Sequence, residues 1–211
     1  MNAAAEDIRQ ATAARLRSEA WGLLAAALEY PDEELVALIR DGALERRARE
    51  LFAALDPRPD DAAGWSALGS VPPGHALSVE YSRLFDATGP SGPRCPLNTG
   101  ALLGEDGRLK LLEELVRFYS HFGLTAEGAP GNEFPDHVLA QLDFLHYLSE
   151  CEAASLAAGE SPDDFSRARS DFQRRHPARW SKELRERLEH HTAHPYYRGI
   201  AALIQRLAEL P

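Results

Sequence analysis

Glu133-Phe134-Pro135-Asp136-His137, followed by Val138, Leu139, Leu142, Phe144, Leu145 and Leu148, is a polar cluster at the head of an apolar segment with helical spacing. Proline is tolerated in a first helical turn, where its missing N–H has no partner to lose, and acids there are favoured by the positive end of the helix dipole. The pattern predicts a helix from Pro135 to Ala158, the longest of the chain, closed by Gly159. Asp136 and His137 then stand at its N-terminus, where a carboxylate, an imidazole and free N–H groups can form a cap, an anion site or a ligand site.

Helical spacing continues on both sides of this segment. Upstream, Leu16, Ala20, Leu23, Leu24, Ala27 and Leu28 mark a helix over 12–29 that Pro31 stops. Asp32 to Arg40 restarts it with acids in the first turn, Leu44 to Leu55 ends at Pro57, and Trp65 to Leu68 reads as one short turn. His75 to Asp86 carries Leu77, Tyr81, Leu84 and Phe85 at three- and four-residue steps. Residues 87–107 hold five glycines and three prolines, too many for either regular period, and read as a long loop. Loops of this length in compact proteins tend to be functional or disordered, and the middle of this one, Cys95-Pro96-Leu97, is too apolar for a simple flexible spacer and is expected to pack back over a groove. Leu109 to Phe122 is an amphipathic helix ending at Gly123. Downstream, Ser161-Pro162 launches Phe165 to His176, and Pro177 to His191 and Tyr196 to Leu210 follow.

No segment alternates β-branched with polar residues. The fold expected is all-α, a compact bundle of about eight to ten helices with one long Gly/Pro-rich loop and no repeat period. It is expected to be a single domain over 1–211, in which 1–86 and 108–211 form two parts joined by loop 87–107.

The bulk properties narrow the function classes. With 44% apolar and 27% charged residues the chain is an ordinary globular sequence, not a disordered one. Its longest apolar run, Trp21 to Leu28, is far short of the roughly 20 residues that span a bilayer. Residues 1–10 carry Glu6 and Asp7 and lack a basic start with an apolar core, so a cytoplasmic protein without membrane insertion is expected. Cys95 and Cys151 belong to no paired spacing and read as free thiols. Subtracting 33 acidic from 23 basic residues leaves a net charge of −10, which argues against nucleic acid and suits a basic ligand.

Each candidate for chemistry stands beside a plainer reading. His190 and His194 are four residues apart and can share a metal, but HExxH is missing and further ligands are not at hand. Basic residues complementing the end of a helix are the plainer account. Asp136 and His137 can act as base and orienter, yet no nucleophile sits in a recognisable elbow, and neighbours on a helix point about 100° apart. A capping carboxylate beside a half-buried imidazole is the plainer account. Glycines 89, 92, 100, 104 and 107 form neither GxGxxG nor a P-loop. Tyr81, Leu84 and Phe85 alone read as core.

The order of these pieces carries more. Tyr81-x-x-Leu84-Phe85, a Gly/Pro-rich loop with Pro96, then Glu133-x-Pro135-Asp136-His137 leading an apolar helix, resembles the TorD/DmsD/NarJ family of redox-enzyme maturation chaperones. Tyr30-Pro31-Asp32 after the first helix, Phe172-x-x-x-His176-x-x-x-Trp180 and Pro195-Tyr196-Tyr197 extend the match over nearly the whole chain. The resemblance implies a non-enzymatic chaperone with no cofactor of its own. Its implied partner is the molybdopterin-containing catalytic subunit of an oxidoreductase of the dimethyl sulfoxide reductase type, with that subunit's N-terminal twin-arginine leader. It also implies a peptide groove lined by Tyr81, Leu84, Phe85 and Pro96, with Glu133, Pro135, Asp136 and His137 at its polar end and Tyr30 on the same wall. Leu97-Asn98-Thr99 departs from the aromatic and glutamate that many members carry after the loop proline, which leaves open a non-exported client as in the NarJ branch. A nucleotide-binding or hydrolysing protein using the loop glycines and Asp136, and a helical scaffold, are the competing classes. The oligomeric state expected is a monomer or a domain-swapped dimer.

Overall fold

A computed structural model describes residues 2–56, 58, 65–69, 75–86, 92–104, 107–125 and 134–211. In chain order the helices are α1 (Asn2–Leu28), α2 (Glu33–Arg40), α3 (Ala43–Leu55), α4 (Ala76–Tyr81), α5 (Thr99–Leu103), α6 (Arg108–His121), α7 (Val138–Ala158), α8 (Asp163–Arg175), α9 (Pro177–His191) and α10 (Pro195–Ala208). A 3₁₀ turn, Ala67–Gly69, follows Trp65, and α4 runs on into a π-helical turn, Ser82–Asp86. The fold is all-α, with no β-strand among the described residues.

The longest pair, α1 and α7, forms the centre of the molecule. The second half of α1 and most of α7 are apolar over more than one face, the mark of a helix surrounded by protein. α1 buries Trp21, Leu24, Ala27 and Leu28, and α7 buries Leu142, Phe144, Leu145 and Leu148. They run antiparallel, because Arg17 meets Glu152 while His146 lies against Gly22 further along α1. α10 packs against α1 and α9, and α8 against α7 and α9, so one apolar cluster extends from Ala20 to Ala208.

Proline sets several of the boundaries. His176, with φ −117° and ψ −78°, is at once the C-cap of α8 and the N-cap of α9, which Pro177 opens. Pro177 and Pro195 open α9 and α10 from the first turn. The last carbonyls of α10 are closed from outside: Gln173 Nε2 donates to Leu207 O, Ala208 O and Leu210 O.

Three expectations are corrected. α7 begins at Val138 rather than Pro135, and α1 with 27 residues is longer than α7 with 21. The stretch 87–107 is not wholly irregular, since α5 lies inside it. Cys95, Pro96 and Leu97 are buried, so that part of the segment packs onto the core.

Polar cross-links tie the central pair to its neighbours. Glu152, 6% exposed, accepts from Arg17 Nη2 at 3.0 Å and from Arg169 Nε at 2.9 Å, joining α1, α7 and α8. Removing one member of a buried ion group leaves the others uncompensated and typically costs about 3–5 kcal/mol. Glu152→Ala is therefore expected to destabilise by that amount in urea unfolding. A loss below about 1 kcal/mol would mean that the two arginines are hydrated in the fold.

Candidate functional site

The head of α7 meets the start of α5 through backbone and side chain together. Residue 137 is extended, with φ −68° and ψ 139°, and pairs with Asn98 as an isolated antiparallel bridge. Val138 N–H donates to Leu97 O and Thr99 N–H to Asp136 O, both at 2.8 Å. This pairing pulls Pro135 and Asp136 out of the helix that their sequence resembles. His137 takes the N-cap instead, its Nδ1 accepting from Leu139 N–H at 3.3 Å. That contact puts the neutral ring's proton on Nε2.

Asp136 is a cap, but of a different helix. Its carboxylate, with no exposed surface, accepts from Gly100 N–H at 3.1 Å through Oδ2 and from Asn98 Nδ2 at 3.1 Å through Oδ1. Five-residue α5 has no capping side chain of its own, so the aspartate satisfies one of its unpaired N–H donors from 36 positions away. At the other end Arg187 of α9 donates to Leu102 O at 2.7 Å, and Gly104, at φ +64°, turns the chain away.

A second layer of donors fixes this junction. Gln141, fully buried, donates through Nε2 to Thr99 Oγ1 at 3.0 Å and Asp136 O at 3.2 Å, and its Oε1 accepts from Trp180 Nε1 at 2.8 Å. Because an indole only donates, this orients the Gln141 amide. Tyr119 OH donates to Pro135 O at 2.9 Å. Arg108, the first residue of α6, reaches Asp136 Oδ2 at 3.8 Å through Nε, while its guanidinium lies 5.5 Å from the Phe134 ring centre. With the Arg108 side chain half exposed, an ion pair of this length contributes about 0–1 kcal/mol and the cation–π contact about 0.5–1 kcal/mol.

The expected groove residues fall into three groups. Tyr81, Leu84, Phe85 and Pro96 are buried, as is Asp136, and Pro135 and His137 are half-buried. Tyr30 is 54% exposed and packs edge-on against Tyr81 at 5.4 Å, with Phe85 and Tyr197 behind. Glu133 lies outside the described residues. Tyr81 and Phe85 thus form the support of an aromatic wall whose open member is Tyr30. Of the histidines, His190 and His191 end α9, and His194 caps α10 through Nδ1. Among the described residues no group of three or more His, Cys, Asp or Glu is arranged to hold a metal.

Reading by residue type missed Asn98, Thr99, Gly100, Arg108 and Gln141. Gln141 alone left a signal, as a polar side chain on the apolar face of α7. The others meet Asp136 only through tertiary structure.

The junction and the buried histidines each carry a prediction. Asp136→Ala strands the Gly100 N–H and the Asn98 amide, which is expected to cost roughly 2–4 kcal/mol in thermal or urea unfolding, with Asp136→Asn milder. Burial holds both the His137 and the His176 imidazoles down at about 4, and Arg175 and Arg179 add to the effect at His176. The unfolded chain takes up these protons near pH 6.5 while the folded one refuses them until about pH 4. Stability is therefore full above pH 6.5 and falls as pH drops from 6.5 to 4. For His176, 4% exposed, the loss is at most on the order of 3 kcal/mol, because Glu114 Oε1 lies 3.6 Å from its Nε2 and favours the protonated ring, and it is smaller for the more open His137. Urea unfolding between pH 7 and pH 4 is expected to show His176→Gln flattening this slope.

Residues 11–186 match the model of the nitrate reductase delta subunit family. The chain is 30% identical to the perchlorate reductase assembly chaperone protein of Dechloromonas aromatica over 92% of its own length and 87% of that protein. It is 36% identical to the chlorate reductase assembly chaperone protein of Ideonella dechloratans, over 61% of this chain and 69% of that one. With the dimethyl sulfide dehydrogenase assembly chaperone protein of Rhodovulum sulfidophilum it shares 33% identity over 75% of this chain and 64% of the other. A match of this extent, on an all-α fold, means that the chain belongs to the nitrate reductase delta subunit family of redox-enzyme maturation chaperones, the TorD/NarJ family.

Proposed function

We propose that this protein is a cytoplasmic, non-enzymatic chaperone dedicated to the catalytic subunit of a molybdenum-cofactor oxidoreductase of the dimethyl sulfoxide reductase type. It holds the apo subunit by its N-terminal twin-arginine leader until the cofactor is inserted, and assembly and export follow. The observation that carries this reading is the near full-length similarity to an assembly chaperone of a reductase. The whole chain acts as one domain in it, consistent with the apolar cluster that runs from α1 to α10.

The chemistry of the surface is compatible with such a client. A leader combines two arginines with an apolar stretch, and arginine favours planar carboxylate partners and aromatic faces. Tyr30 and Phe134 offer exposed aromatic surface, Phe134 next to the Asp136 junction, and the net charge of −10 favours a basic segment. The buried Tyr81, with Phe85 behind it, holds Tyr30 in place from beneath, and Leu84 and Pro96 are buried as well. The nucleotide reading receives no such support, because the Asp136 carboxylate repels phosphate and, among the described residues, no group of three or more His, Cys, Asp or Glu is arranged to hold a bridging cation.

Isothermal titration with a synthetic peptide of two arginines followed by an apolar stretch tests the proposal. Dissociation constants at or below the micromolar range are expected, at least tenfold weaker when both arginines are replaced by lysine. No binding of either peptide, together with no co-purification of a reductase catalytic subunit, would contradict it.

A further inference from the structure

Arg108 occupies a slot that its own helix does not favour. It is the first residue of α6, where the dipole repels a cation, and the N-cap there, Gly107, offers no side chain. What holds it lies elsewhere in the sequence. The alkyl chain of Arg108 crosses Gly100 so closely that a β-carbon at that glycine would stand 3.0 Å from Arg108 Cγ and 3.2 Å from Asp136 Oδ2. The guanidinium then ends between the Phe134 ring, at 5.5 Å, and Asp136 Oδ2, at 3.8 Å. A glycine floor, an aromatic wall and a carboxylate end make a receptor for an arginine side chain, filled here by the chain's own residue.

The filling is imperfect in a specific way. A carboxylate can accept about four hydrogen bonds, and Asp136 receives one at each oxygen from Asn98 and Gly100. Arg108 adds a single long contact through Nε instead of the two parallel bonds that a guanidinium makes in its best geometry. Its side chain is 49% exposed, and the Phe134 wall is 60% exposed, so both can move without opening the core. Asp136 is the opposite case, fully enclosed with Arg108 in place.

We propose that Arg108 is an intramolecular competitor at the polar end of the groove, filling the slot between Gly100, Phe134 and Asp136 that an arginine side chain of the client takes. An incoming arginine, not tethered to a helix start, approaches Asp136 end-on, and Arg108 swings out into solvent. The competitor lowers affinity for isolated arginines and leaves a site that only a segment with further contacts can open. This rests on the proposed client-binding role, since it supplies the site within that surface.

The test is titration of the full chain and of Arg108→Ala with the two-arginine peptide and its lysine counterpart. Arg108→Ala is expected to bind the arginine peptide at least tenfold more tightly than the parent, with a smaller change for the lysine peptide. Arg108→Ala/Gly100→Ala, which puts a methyl group on the floor of the slot, is expected to lose that gain. If Arg108→Ala fails to fold by circular dichroism, Arg108→Gln, which keeps most of the chain but not the charge, is measured in its place with the same expectation. Binding by the parent with equal or weaker binding by the Arg108 variant overturns the competitor while leaving the chaperone reading standing. A gain that survives the added methyl group overturns the slot. No binding by any variant removes both.

Discussion

The buried carboxylate of Asp136 is the constraint on which the site depends. A short helix such as α5 does not sustain itself, because nucleating a turn costs more than its few hydrogen bonds return. α5 exists here because three remote groups satisfy it: Asp136 at its start, Arg187 at its end and Gln141 beneath. Backbone pairing of 97–99 with 136–138 then makes the segment after the Gly/Pro-rich loop part of the α7 head. The two stretches that carry the family resemblance, on either side of α6, are therefore one structural unit.

This arrangement separates rigid from adjustable parts. The Asp136, Gln141 and Trp180 chain is buried and each named donor has an acceptor, the condition under which a buried polar network stabilises a single structure. Around it lie Arg108 and Phe134, both substantially exposed and held by weak contacts. A chaperone that must bind and then release its client gains from that division. The carboxylate keeps its place, while the side chains that cover it can exchange partners.

Much of the fold was legible in the sequence because its determinants are local. Prolines at 177 and 195 and the acids after Asp32 mark helix ends through rules that act within one turn. The apolar periods marked α1 and α7 as helices, although only the structure pairs them at the centre and extends α1 back to Asn2. The start of α7 was misplaced for a physical reason. Pro135 and Asp136 are compatible with a first turn, but backbone pairing with the segment at Asn98 wins over that local preference. α5 was hidden among glycines and prolines because its stabilising partners are non-local. The cap reading of Asp136 was right in kind and wrong in its object, and no spacing rule links Asp136 to Gly100. Asn98 and Thr99, which looked like a departure from the family pattern, are the residues that pair with it.

Amide hydrogen exchange at Thr99, Gly100 and Val138 tests the junction most directly. These N–H groups donate to Asp136 O, Asp136 Oδ2 and Leu97 O respectively. If the carboxylate locks α5 to the head of α7, all three exchange as slowly as the buried interior of α7 around Leu145, and Asp136→Ala releases them while that interior stays protected. Exchange of the three at the rate of an exposed loop in the unmodified chain would contradict the account.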